Sequence, residues 1–305
     1  MNKVSGLQVK SLRIRSGAGV LDCKKALEIS NGDEELAIKW LREKGISAHE
    51  KRSCKETSEG VVAGKTDDSS SMGVLVSIRC ETDFVARNEK MWGMARSLCD
   101  VLLSNQAISD SEQLEQADIN NSKVSDVLID LSATIKENIK LGEIAIFRAK
   151  DKSNVYSYIH GNLINIDDKS TAEDKRAAKE TGTLGVIVRI ASKGASQDTL
   201  NEFGNNLAMH IAAMNPDVIS QEDLTEEIIN NESDIAMKKI NENPNTANKT
   251  EEQKNQIASG MVKKAVADRV LYLQQYAIND KLTVKQAADE AQVTILEFAK
   301  VIIGA

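Results

Sequence analysis

Two stretches of this 305-residue chain read almost alike, and they constrain its fold more than any other feature. Met72-Gly73-Val74-Leu75-Val76-Ser77-Ile78 and Leu184-Gly185-Val186-Ile187-Val188-Arg189-Ile190 share a glycine and the aliphatic residues after it, and both read as strands. Each is followed within about 20 residues by an aromatic-glycine pair, Trp92-Gly93 and Phe203-Gly204, in a helical run that ends at Asn105 and at Asn215. The repetition predicts a duplication: an α+β core of two related subdomains, each a small antiparallel sheet with a covering helix.

Other kinds of element flank the repeats. Residues 4 to 48 predict three short helices. Val4, Leu7 and Leu12 line the first, which Ser16-Gly17-Ala18-Gly19 breaks; Val20, Cys23 and Leu27 line the second. After the Asn31-Gly32 turn, Asp33 caps a third helix lined by Leu36, Trp40 and Leu41 and stopped by Gly45. So small a bundle is marginal alone and is expected to dock onto something. His49 to Glu59 has almost no apolar residues and reads as a tether. Val61-Val62-Ala63 and the first repeat flank the turn-rich Thr66 to Ser71, a hairpin signal.

Residues 104 to 122 read as a polar excursion and Val124 to Ile139 as a helix. Glu143 to Arg148 and Asn154 to His160 alternate like strands, and 162 to 182 reads as a solvated segment. Glu222 to Ile240 and Lys249 to Tyr276 predict a helical hairpin broken at Asn243-Pro244-Asn245. Its seams are Leu224, Ile228, Ile235 and Ile240 against Ile257, Met261 and Ala265. The tail adds a helix, Val284 to Glu290 behind Thr283, and an apolar run, Val293 to Ile303. The expected division is 1–55 bundle with tether, 56–141 first core subdomain, 142–220 second core subdomain, 221–278 helical hairpin and 279–305 C-terminal module.

Bulk properties exclude several function classes. A net charge of -7 is no basic footprint, so nucleic acid is not the expected partner. No run of 18 apolar residues occurs and the first residues do not read as a presequence, so a cytoplasmic chain off the membrane is expected. Cys23, Cys54, Cys80 and Cys99 are widely spaced and read as idle thiols, with no metal site among them. There is no phosphate-cradling Gly-Lys-Ser loop, no nucleophile elbow and no His-Glu-x-x-His. Ser16-Gly17-Ala18-Gly19 follows a helix rather than a strand and reads as an interhelix turn. His49 reads as solvated, and His160 and His210 as structural histidines.

One stretch is left over. Glu81-Thr82-Asp83-Phe84-Val85-Ala86-Arg87-Asn88 sits where the first repeat strand gives way to its helix, and it holds one of only four phenylalanines. Either Asp83 caps the following helix with Phe84 stapled beneath it, or Phe84 is presented to something else. The second repeat has Ser192-Lys193-Gly194-Ala195-Ser196 at its corner, so the fold unit does not require an acid and an aromatic there.

Four ordered motifs resemble the elongation factor Ts family. They are Leu12-Arg13 with Ser16 to Leu27, Asn31-Gly32-Asp33 and Leu41 to Gly45; Thr82 to Asn88; Ser157 to His160; and Met209 to Ala213. The resemblance implies a guanine-nucleotide exchange factor, without covalent chemistry or cofactor, that binds the GDP form of elongation factor Tu and releases GDP with loss of Mg²⁺. It also implies that the bundle is like a ubiquitin-associated domain. By the same resemblance Phe84 is a wedge between helices of the GTPase, Asp83 helps displace the helix behind the magnesium site, and Thr82 and Val85 flank them. Arg13, Val20, Leu21, Lys24 and His160 fall at secondary partner contacts. Lys300 stands where the family's closing segment has arginine. The competing expectation is a protein-interaction module without exchange activity.

Overall fold

The computed structural model describes residues 4–16, 18–150, 152–167 and 169–304, with the backbone alone for 46–52. Gly17 and the side chain of His49 therefore lie outside the described residues. The chain opens with α1 (Gly6–Ser16), α2 (Val20–Ile29) and α3 (Glu34–Arg52), packed around Leu12, Cys23, Ala26, Leu27 and Ala37. Leu7 and Leu36, expected inside this seam, are exposed. Each lies five residues from a core leucine, Leu12 and Leu41, which is about 140° around a helix.

Gly45 does not end α3, which continues to Arg52 through the start of the expected tether. A Cβ on Gly45 would lie 3.4 Å from the Cβ of Ala133. The glycine thus serves a close helix-helix approach, and α3 packs along α5 (Val124–Ile135) of the core.

The core holds β1 (Glu59–Thr66), β2 (Met72–Cys80), α4 (Glu89–Ser104), α5, β3 (Lys140–Arg148) and β4 (Ser153–His160). It continues with α6 (Ala172–Glu180), β5 (Leu184–Ser192) and α7 (Gln197–Met214). β1 and β2 form the expected hairpin, with Val61 opposite Ile78. β3 and β4 are adjacent in sequence but join different sheets. One sheet runs β3-β2-β1 and then the two-residue strand Thr181–Gly182; the other runs β6-β5-β4, where β6 (Val293–Ile302) is the C-terminal apolar run.

The two repeats occupy equivalent places, each the second strand of its sheet with antiparallel neighbours on both sides. Val74, Val76 and Ile78 face Ala95, Leu98 and Leu102 of α4, while Val186, Val188 and Ile190 face Leu200, Phe203 and Leu207 of α7. The alternate residues, Leu75 and Ile187, meet between the sheets with Val62, Val155 and Val301. The layers are therefore helix, sheet, sheet, helix, and the period of two explains why Val74-Leu75-Val76 and Val186-Ile187-Val188 are apolar on both faces.

The repeated glycines set the spacing between the sheets. A Cβ on Gly73 would lie 2.6 Å from Val155 Cγ1 and 3.0 Å from Ile187 Cδ1, and one on Gly185 would lie 2.8 Å from Val62 Cγ1 and 3.0 Å from Leu75 Cδ2. Each glycine admits the bulky residue that the other repeat carries two positions after its own glycine.

Two segments expected to be loose are anchored. Between α4 and α5, Ile108, Leu114 and Ile119 are buried in the first core, as is Leu163 beyond β4. The helical hairpin is α8 (Glu226–Glu242) against α9 (Glu251–Arg269), closed by Ala236, Ile240 and Ala258. Ile235, expected in its seam, is 37% exposed. α10 (Val284–Glu290) begins behind a Thr283–Gln286 capping box.

Replacing Gly73 or Gly185 by alanine forces the sheets apart, and each substitution should cost about 1–3 kcal/mol in urea denaturation. Unchanged stability in either variant would show that the sheets do not approach as closely as described.

Candidate functional site: the corner after the first repeat

Thr82, rather than Asp83, caps the turn that follows β2. The backbone N–H of Val85 donates to Thr82 Oγ1 at 3.4 Å, and Asp83–Ala86 form a single helical turn before Asn88 caps α4. Within that turn Ala86 is buried and Val85 packs on the first core, which leaves Asp83 and Phe84 pointing outward. Phe84 is 83% exposed, so it is not a staple. Leaving a phenyl ring in water forgoes about 1.5–3 kcal/mol of burial.

The corner is clamped from beneath. Glu137 accepts from three donors: Thr82 Oγ1 at 2.7 Å, Glu81 N at 3.1 Å and Thr82 N at 3.2 Å. In return Glu81 accepts from Asn138 N at 2.7 Å and from Lys55 Nζ at 2.7 Å. Lys136, in the left-handed region at φ 71, ends α5 and swings Glu137 toward the corner. Charge-assisted bonds of this kind are stronger than neutral ones, and three donors converge on one carboxylate. Buried Cys80 closes the corner with a bond from Sγ to Thr82 O at 3.2 Å, and burial pushes its thiol up to about 12.

The secondary residues divide into two groups. Arg13, Val20, Leu21 and Lys24 lie exposed on α1 and α2, with Leu21 at 82%. The bundle carrying them is tied to the corner through α3, α5 and the Glu137 loop. His160 belongs to the other sheet, exposed at the end of β4, with Nδ1 3.2 Å from Tyr158 Oη.

His210 is buried and structural. Its Nδ1 accepts from Ala277 N at 3.1 Å, which assigns the proton to Nε2, 2.9 Å from Gln274 Oε1. Gln274 in turn donates to Met214 O and Asp268 O, joining α7 to the base of the helical hairpin. Burial lowers the His210 pKa. A cavity of about 470 Å³ lies between the bundle and α5, lined by Asp22, Arg42, Asp130 and Lys136 among others, and the Phe84 turn is not in its wall.

Glu137, Lys55 and Asn138 carry no signal in the sequence, and Glu81, which opens the singled-out stretch, carries none for its part in the clamp. Nothing in their spacing marks them, because the carboxylate that holds the corner lies 55 residues from the threonine it grips.

Residues 81–305 match the family model for elongation factor Ts. The elongation factor Ts of Paracoccus denitrificans is 34% identical over 301 residues, covering 99% of this chain and 92% of that protein. That of Mycoplasmoides gallisepticum is 33% identical, covering 97% and 91%, and that of Lawsonia intracellularis 32% identical, covering 99% of each. The fold and the exposed corner thus sit in a translation elongation factor. This chain belongs to the elongation factor Ts family.

Two outcomes test the site. Thr82→Ala removes the cap and one Glu137 bond and should lower stability by about 1–2 kcal/mol in urea denaturation, whereas no change would show that the clamp does not hold the corner. For His210, folded and unfolded chains both carry neutral imidazole well above its usual pKa of about 6.5. Below that value the unfolded chain takes a proton that the buried ring resists, so stability falls as pH drops. His210→Gln should flatten that fall between about pH 7 and 5, measured by thermal unfolding at each pH.

Proposed function

We propose that this chain binds the GDP form of elongation factor Tu and promotes release of GDP, with loss of the bound Mg²⁺, so that GTP can bind. The observation that carries the reading is Phe84: an apolar ring 83% exposed, on a turn held by a three-donor carboxylate. A loose apolar residue would collapse onto its own surface. A fixed one retains its burial energy for another protein.

The physics needs no covalent step. If the ring is buried only when the GTPase is in its nucleotide-releasing shape, the gain of about 1.5–3 kcal/mol shifts the population toward release. Linkage then requires bound nucleotide to weaken this chain's hold by the same factor. Asp83, beside the ring, brings a negative charge against the structure that supports the partner's Mg²⁺. Thr82 and Val85 present the pair. Arg13, Val20, Leu21, Lys24 and His160 add contacts away from the wedge, which set affinity rather than the displacement itself.

Phe84→Ala should slow catalysed GDP release by roughly tenfold or more in a stopped-flow assay, with urea stability within about 0.5 kcal/mol of the parent because the ring is already in water. An unchanged release rate would contradict the wedge. Loss of more than about 3 kcal/mol of stability would make Phe84 a core residue instead.

A further inference from the structure

Between β4 and β5 the chain leaves the sheets as a strap, residues 161–183, whose two roots meet at His160. Thr183 N donates to His160 O at 2.9 Å, and Thr181–Gly182 pair with β1 just before it. A Cβ on Gly182 would lie 2.2 Å from His160 O, so the strap's return presses directly on that residue. The middle of the strap is α6, where Ala177 is the one buried residue.

Charge, rather than apolar packing, seats this helix. Arg96 on α4 is 8% exposed. Its Nε donates to Glu180 Oε2 at 2.6 Å and its Nη1 to Glu173 Oε1 at 2.5 Å. Lys65 of β1 lies 3.6 Å from Glu180 and 2.7 Å from Asp100, and Arg176 closes the network at 2.6 Å from Glu173. The Arg96 bond holds the Glu173 carboxyl below its ordinary range. A guanidinium so far removed from water is tolerable only while carboxylates answer it, so removing the cation releases the helix.

Arg96 also lies on the helix that begins at the corner. Asn88 caps α4 two turns before it. A continuous path therefore runs from the Phe84 turn through α4, Arg96, Glu180 and Thr181–Gly182 to the backbone of His160.

We propose that Arg96 is a positioning residue: by gripping Glu173 and Glu180 it seats the strap on the helix that begins at the Phe84 corner, and so fixes His160 relative to Phe84. This rests on the reading above, in which both residues touch the GTPase.

The first test needs no partner. In amide hydrogen exchange on the full chain, Arg96→Met should raise exchange within 161–183 by roughly tenfold and leave β2 unchanged, with Arg96→Lys between the two because an ammonium cannot hold both carboxylates in the same fork. Unchanged strap protection overturns the proposal. Should Arg96→Met fail to fold, Glu173→Gln, which removes a half-exposed carboxylate, carries the same test with a rise of about threefold.

The second test adds elongation factor Tu loaded with GDP. Arg96→Met should raise the half-saturating concentration roughly fivefold, keep the saturated release rate, and add nothing in a His160→Ala background. A full extra loss in that background overturns the link to His160. If His160→Ala alone is harmless while the strap loosens, the reading of His160 as a contact has failed and the latch has not.

Discussion

The carboxylate of Glu137 is the interaction on which the exposed Phe84 corner depends. It takes two backbone N–H groups and a hydroxyl from Glu81 and Thr82, at the point where a strand must become a helix. Without it the turn would have its own short cap and little else. With it, the strand end, the turn and the loop after α5 move as one piece. The same loop continues α5, the helix on which the N-terminal bundle rests through Gly45 and Ala133. One contact therefore ties the exposed ring to both the sheet behind it and the bundle beside it.

Beneath the corner, rigidity comes from two repeats that pack against each other. Each supplies a glycine where the other supplies a branched side chain, so the sheets meet closely in both directions. A tip that must keep an apolar ring in water needs such a base, since a compliant scaffold would let the ring fold back. The strap serves a related end by a different force. Leu163 anchors its start in the first core, but its helix has almost no apolar face and lies across α4 through ion pairs, which makes that helix's seating more local and more easily altered than the core.

Much of this was legible in the sequence, where regular period met strong punctuation. The repeated strands, their hairpin, the capped tail helix and the break at Pro244 all followed from apolar spacing and turn chemistry. Boundaries failed where a residue served packing instead of its local preference: Gly45 reads as a stop signal, yet it lets α3 approach α5. Leu7 and Leu36 fit a loose helical period, yet they point away once Leu12 and Leu41 are taken as the inward stripe. The polar stretches concealed single anchors, Leu114, Ile119 and Leu163, that composition averages away. At the site, the oddity of Phe84 was visible from residue type and position. Its exposure was not, and neither was Glu137, because that bond depends on how α5 returns to the strand end.

Under the proposed exchange function, Phe84 is held in water in the free chain and is buried by the GTPase. Fluorine NMR of the full chain carrying one 4-fluorophenylalanine at position 84 tests it directly. The expected result is a sharp resonance with a full water-to-deuterium-oxide isotope shift in the free chain, and a displaced resonance that loses that shift when GDP-bound elongation factor Tu is added. A complex that forms while the resonance stays unmoved and solvent-exposed would contradict it.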